Sequence, residues 1–487
     1  MNRFLPRSPR RTKGPGRTAR IFKLLFAAFL AASLPDAAAA DRDLLGRPPN
    51  IVFLLSDDQR VDTIRALGNR HIKTPNLDRL VHDGFTFTHA FCMGSTVPAV
   101  CVPSRAMLFT GRSLYRSLAP VTSGNIPLRA ALWPEEFRKA GYATVGIGKW
   151  HNDRDSYARS FSAGGPIFFG GMSDHNKVPV FDYDTSGRYP TNKQRIAHVN
   201  SSELFANAAI SFIRTQSTMK PFLLYVGFTS PHDPRTPPAD FAALYDAEKL
   251  PLPKNFLPQH RFDNGEMEVR DETLLPWPRK EEAVRKEIAA YYAMITHLDH
   301  QVGRILDALD ATGKRGNTIV VFASDHGLAL GSHGLLGKQN LYDHSVRAPL
   351  LFNGPGIPRG RRSDALCYLY DVFPTLCALG GLNVPNTVEG EDLTLLMHDT
   401  GARVREEIFG AYGNVQRMVR TDRWKVIYYP HNDRTQFFDL RDDPHETRDL
   451  AAQPGHARRI VSLRTRLAEL QEYFDDPLLA PAQSPAR

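Results

Sequence analysis

The chain has 487 residues, 42% of them hydrophobic, and a formal net charge of +9. Residues 1–40 hold eight Lys/Arg against one Asp, so the remainder is close to neutral. That distribution excludes a broad basic groove for nucleic acid. Four cysteines in so long a chain exclude a disulfide-built scaffold, and no CxxC or Cys/His spacing marks a structural zinc site.

The chain opens on a basic stretch, "MNRFLPRSPRRTKGPGRTAR", followed by the apolar "IFKLLFAAFLAASL" and an Ala-rich segment before Asp41. This order of charge, apolar run and small residues reads as an export signal over 1–40. The apolar run is short for a bilayer span and contains Lys23. No later segment is long and apolar enough to anchor the chain. The expected location is the periplasm or the extracellular space, without stable membrane insertion.

Four continuous apolar runs follow, each ending in polar residues. "IVFLL" (51–55) leads into Ser56-Asp57-Asp58, and "ATVGI" (143–147) leads into Gly148-Lys149-Trp150-His151. "PFLLYVGF" (221–228) leads into a turn with His232, and "TIVVFA" (318–323) into Ser324-Asp325-His326-Gly327. Runs of this kind suit strands buried on both faces of a parallel sheet. Helical segments are expected between them at 74–84, 133–142, 202–216 and 281–309, which makes the fold class α/β with a large doubly wound sheet flanked by helices. In such sheets ligands bind beyond the carboxyl ends of the strands, where all four polar clusters fall. The Pro-rich passage 231–277 reads as loop able to shape a pocket.

After about residue 400, "QRMVRTDRWKVIYYP" and "TQFFDL" read as antiparallel strands, and "GHARRIVSLRTRLAELQEYF" as an amphipathic helix. The expected organisation is a catalytic domain over 41–398, a small antiparallel sheet plus helix over 399–478, and a disordered tail over 479–487. Cys367 and Cys377 are readable either as a pair or as two buried thiols.

Asp57, Asp58 and Asp325, brought together at strand ends, would repel one another unless a cation neutralised them. Oxygen ligands favour Ca²⁺ or Mg²⁺, and His326 is adjacent to Asp325 as a further ligand or donor. Arg105, Lys149 and Lys338 together suit a tetrahedral oxyanion ester. His151 and His232 are candidates to hold a nucleophile's proton or protonate a leaving oxygen. Cys101 in "CVPSRAMLFTGR" stands near a helix start, with Pro103 in the first turn. A soft thiolate matches a carboxylate-held hard ion poorly, so the site calls for an oxygen nucleophile where the chain encodes sulfur.

"CVPSRAMLFTGR" resembles the C-x-P-S-R…T-G-R motif of formylglycine-dependent sulfatases, within the alkaline-phosphatase-like fold. The resemblance implies that Cys101 is oxidised to formylglycine by a formylglycine-generating enzyme, and that the hydrated aldehyde attacks the sulfur of an organic sulfate ester. It places Asp57 and Asp58 of "LLSDDQR", Asp325 and His326 of "SDHG", and Cys101 itself on one Ca²⁺ per site, with Mg²⁺ as the alternative. It gives Arg105, Lys149, His151, His232 and Lys338 to nucleophile, sulfate and leaving group. Asn152, Arg154, Asp174, His175 and Arg235 are further candidates for leaving-group contacts. The sequence departs from the family at Val102, Phe109 and His326 and in lacking Leu-Gly after His151. The expected substrate is a sulfated glycan or an aryl or alkyl sulfate. The alternatives are a phosphomonoester or phosphonate ester hydrolase of the same superfamily, or a catalytically silent glycan-binding protein.

Overall fold

The computed structural model describes residues 47–479 apart from Thr218 and Thr400. The leader expected over 1–40, and the expected tail beyond residue 479, lie outside the described residues. Sixteen strands are described. They are β1 (Asn50–Ser56), β2 (Phe85–Phe91), β3 (Gly94–Ser95), β4 (Ala143–Lys149), β5 (Ala163–Phe168), β6 (Val178–Val180), β7 (Arg195–Ala197) and β8 (Phe222–Gly227). They continue with β9 (Thr318–Ser324), β10 (Arg347–Asn353), β11 (Arg361–Ser363), β12 (Cys367–Tyr368), β13 (Glu407–Tyr412), β14 (Gln416–Thr421), β15 (Trp424–Tyr429) and β16 (Arg434–Asp439).

Nine strands form one mixed sheet in the order β11-β2-β10-β9-β1-β8-β4-β5, with β12 also on β2. The four apolar runs picked out in the sequence are its central parallel strands β9, β1, β8 and β4. β10 runs antiparallel to both β9 and β2. Pleating sends alternate residues of β1 to opposite faces. Ile51, Phe53 and Leu55 join one core cluster, and Val52 and Leu54 join another. Helices cover both faces, which explains why these strands are apolar throughout rather than alternating.

The helices Pro75–His82, Ser201–Thr215 and Glu281–Ala311 bear on one face. The side chain of Asn200 caps the second through its oxygen, accepting from Ser202 N at 3.1 Å. On the other face lies the helix Cys101–Thr110, nine of whose ten residues are buried. Pro103 sits in its first turn as expected. Gly111 ends it in left-handed backbone (φ 65°), a conformation that glycine adopts without a Cβ penalty.

The small sheet has the order β16-β15-β14-β13-β3, and the helix Ala457–Tyr473 packs against it. Its fifth strand comes from Gly94–Ser95, just upstream of Cys101, which pairs in parallel with β13. The C-terminal region is thus tied by main-chain bonds to the segment that delivers Cys101. All four cysteines are buried and free, Cys367 and Cys377 included. Among the described residues no helix is long and apolar enough to cross a membrane.

Candidate active site

The register of the central strands aligns their carboxyl ends. Ser56 pairs with Ser324 and Leu55 with Gly227, while Gly148 also pairs with Gly227. The residues that follow these ends therefore meet. Asp58 and His151 take left-handed backbone, with φ of 67° and 63°. Such conformations cost energy for side-chain-bearing residues and concentrate at functional sites.

Asp57, Asp58 and Asp325 offer carboxylate oxygens within 4.8 Å of one another, and a second trio, Cys101 Sγ, a carboxylate oxygen of Asp325 and a ring nitrogen of His326, is gathered as closely. His326 places Nδ1 2.9 Å from the carbonyl of Gly327. An imidazole that donates from Nδ1 leaves Nε2 with its lone pair free. That Nε2 is buried without a hydrogen-bond partner and lies 3.3 Å from Oδ1 of Asp58. Burial opposes charge on His326, but Asp325 and Asp58 overcome it and lift its pKa to about 9. A field that holds a proton so firmly is equally suited to a metal ion. The donor set, three carboxylates and one imidazole nitrogen, fits a divalent cation.

Three cationic side chains balance those carboxylates. Lys149 donates to Oδ2 of Asp57 at 2.5 Å, and its ammonium is 3.7 Å from Sγ of Cys101. Lys338 donates to both oxygens of Asp58 at 2.9 Å and faces Nε2 of His232 at 3.0 Å. Burial by itself would raise the pKa of Asp57, yet Lys149 and Arg105 hold it well below the carboxylate range. A divalent ion would leave this balanced cluster positive, which suits an anionic ester.

Arg105 serves differently from the sulfate contact its motif position suggests. Its guanidinium is fully buried behind the carboxylates, donating to Oδ2 of Asp325 at 3.0 Å and Oδ1 of Asp57 at 3.4 Å. It also donates to the Lys149 carbonyl at 2.9 Å and the Tyr225 hydroxyl at 3.0 Å. It fixes the candidate metal ligands rather than facing substrate.

Cys101 starts its helix at the centre of this arrangement. Burial pushes its thiol pKa up, but Lys149, His151 and Lys338 bring it well below the ordinary thiol value. The position is built to carry negative charge. Beside it an open cavity of about 470 Å³ is lined by Val102, Ser123, Asn125, His151 and Asn152, among others. His151 Nδ1 and Asn152 Oδ1 are buried there without hydrogen-bond partners.

Of the five further leaving-group candidates, Asn152 alone lines this cavity. His175 is buried with one nitrogen 3.0 Å from Ser201 Oγ and the other 2.9 Å from the His232 carbonyl, so it braces the His232 turn. Arg235 pairs with Glu287, and Arg154 lies over the rings of Phe169 and Phe181. Asp174 is exposed and accepts from Asn176 N. Sequence reasoning gave no role to Asp233, whose carbonyl lies 2.8 Å from His232 Nδ1, or to Tyr225 of the apolar run 221–228, because local pattern does not show which side chains they meet.

Comparisons with known proteins bear on the fold and the family. The Sulfatase family model matches residues 49–382, and the model for the N-sulphoglucosamine sulphohydrolase C-terminal region matches residues 331–473. The chain is 30% identical over 463 residues to an arylsulfatase of Clostridium perfringens, covering 85% of this chain and 93% of that protein. A solved structure described in complex with D-glucosamine-2-N,6-O-disulfate superposes with a TM-score of 0.74 at 22% identity, covering 89% of this chain and all of that one. The phosphonate monoester hydrolase of Agrobacterium radiobacter superposes with a TM-score of 0.68 at 23% identity, covering 89% and 97%. With a family match across most of the catalytic region and an arylsulfatase relative along nearly the whole chain, this protein belongs to the sulfatase family and is a sulfuric ester hydrolase.

Proposed function

We propose that the chain cleaves the S–O bond of a sulfated glycan or of an aryl or alkyl sulfate, with formylglycine derived from Cys101 as nucleophile and one Ca²⁺ in the carboxylate cluster. The observation that carries this reading is the placement of Cys101 Sγ, 3.7 Å from Lys149 Nζ and within 4.8 Å of candidate ligand atoms of Asp325 and His326. A thiol gains nothing from three carboxylates beside it, whereas an oxygen nucleophile on a hard cation does. When present, formylglycine supplies that oxygen and the ion supplies positive charge against it and against the sulfate oxygens.

The side chains do the rest. Asp57, Asp58, Asp325 and His326 hold the ion, and Arg105 keeps Asp57 and Asp325 in place from behind. Lys149 and Lys338 carry positive charge to the sulfate oxygens. His151, whose pKa is lowered first by burial and further by Lys149, is neutral and takes the nucleophile's proton. His232, aligned by its Nδ1 contact and facing Lys338, assists the leaving alcohol. The cavity beside His151 and Asn152 takes the alcohol portion of the ester.

Peptide mass spectrometry on protein co-expressed with a formylglycine-generating enzyme tests this reading, alongside sulfate release from 4-nitrophenyl sulfate and glucosamine 6-O-sulfate. Formylglycine at position 101 in active protein is expected, with the unmodified thiol form inactive. Equal turnover by the thiol form overturns the mechanism. Phenylphosphonate turned over with a higher kcat/KM than every sulfate ester would assign the chain to phosphonate chemistry instead.

A further inference from the structure

We propose that three consecutive residues of the Pro-rich passage, Arg270, Asp271 and Glu272, form a positioning clasp that sets Lys338 against His232. The proposal rests on the roles given to Lys338 and His232 above. Their contact, 3.0 Å between Nζ and Nε2, joins two loops distant in sequence. Each loop is held by a different part of the same tripeptide.

On the Lys338 side, the backbone is fixed at three successive amides. Glu272 accepts from Leu336 N at 2.9 and 3.0 Å and from Gly337 N at 2.8 Å. The Lys338 amide donates to Oε1 of Gln339 at 3.0 Å, and Gln339 Nε2 donates in turn to Oδ2 of Asp271 at 3.0 Å. Arg279 closes the charge balance by donating to Oε2 of Glu272 at 2.5 Å. Gly337 leaves no space at this junction. A Cβ added there would meet Oε1 of Gln339 at 2.4 Å and Cβ of Asp271 at 2.7 Å.

On the His232 side, Arg270 makes a two-pronged contact with Asp233, Nη1 to Oδ2 and Nη2 to Oδ1, both 2.7 Å. The adjoining His232 keeps Nδ1 2.8 Å from the Asp233 carbonyl. Arg270 also donates to its neighbour Asp271 at 2.6 and 2.9 Å, which links the two halves. With its donors spent on Asp233, Asp271 and Met172 Sδ, Arg270 orients the site rather than gripping substrate.

The physical need is clear. A lysine side chain is long and flexible, so its ammonium is placed well only if its backbone and its partners are held. Second-sphere partners of this kind change activity about 10–100-fold when removed.

The test uses the mature, metal-loaded enzyme and sulfate release from 4-nitrophenyl sulfate. Asp271→Asn should lower kcat about 10–100-fold, with KM changed less than about twofold and the melting temperature nearly unchanged, whereas Glu272→Gln should lower kcat similarly but also lower the melting temperature, because it leaves the buried Arg279 unpaired. The deciding measurement is the pair Asp271→Asn with Lys338→Gln. If Asp271 acts through Lys338, the double variant is no slower than Lys338→Gln alone. Fully additive losses, or an Asp271→Asn loss that tracks the melting temperature, overturn the clasp. Lys338→Gln with unchanged kcat overturns instead the role assigned to Lys338. Should the acidic variants fold poorly, Gly337→Ala gives the same readout by forcing the junction apart, and full activity in that variant also overturns the clasp.

Discussion

Arg105 Nε lies 3.0 Å from Oδ2 of Asp325, with both side chains fully buried. The same guanidinium reaches Asp57, so one cation holds two carboxylates that would otherwise repel each other. Burial is the largest influence on the Asp325 carboxyl and lifts its pKa to about 6, against the pull of His326 and Arg105. The arrangement costs stability on its own and is held only because the charges are paired.

Arg105→Ala should therefore destabilise the protein by about 3–5 kcal/mol, the usual consequence of leaving a buried charge unpaired. Arg105→Lys keeps the charge but loses the planar fork, and should retain most stability while sulfate release falls about 10–100-fold. Urea melts and steady-state kinetics on both variants separate the two effects.

Removing the ion with a chelator should abolish sulfate release, and Ca²⁺ should restore it. Binding to the folded state alone adds about 2.7 kcal/mol when the free ion reaches a hundred times its Kd, so the melting temperature should climb with added Ca²⁺. Asp325→Asn should lose both the climb and the bound metal, as read by elemental analysis.

Cys101→Ala removes the group from which the proposed nucleophile forms. Sulfate release should fall to background while the melting temperature changes little, since the helix Cys101–Thr110 keeps its other buried residues. Residual turnover at even a few per cent of the mature enzyme would point to another nucleophile.

Asn152 directs Nδ2 to the Val102 carbonyl at 3.1 Å and leaves Oδ1 unpartnered at the cavity. Asn152→Ala should raise KM for a sulfated sugar by about 2–12-fold, the worth of one neutral hydrogen bond, with kcat nearly unchanged. A kcat effect alone would move Asn152 from leaving-group binding to catalysis.

Asp476 anchors the end of the C-terminal region through Arg417, and both side chains are fully buried. Burial works against its ionised form, but the Arg417 hydrogen bond and charge lower its pKa below 3.8. A depressed carboxylate contributes stability that is present above its unfolded pKa and lost as pH falls through the folded value. Asp476→Asn should thus be destabilised at neutral pH and show a shallower loss of stability below about pH 4 than the parent. Urea melts across that range check the sign.

The sequence by itself determined the central strands, because a strand buried on both faces must be apolar along its length, and β1, β4, β8 and β9 are. It also pointed to the strand ends as the place for the candidate site, since Asp57, Asp58, Lys149, His232, Asp325 and His326 all fall within four residues after such a run. The motif around Cys101 carried the family. Only the tertiary structure decided which face of the cluster each cation serves. Arg105 and Lys149 read alike in the sequence as candidate cations for an oxyanion, yet packing turns Arg105 behind the carboxylates and brings Lys149 beside Cys101. The joining of β3 to β13 was equally invisible, because a two-residue strand has no periodicity. The clasp of Arg270, Asp271 and Glu272 lay in a passage readable only as loop. Its partners stand some 37 residues before it and 64–68 after it in the chain, and hydrogen bonds over such separations are set by folding rather than by local pattern.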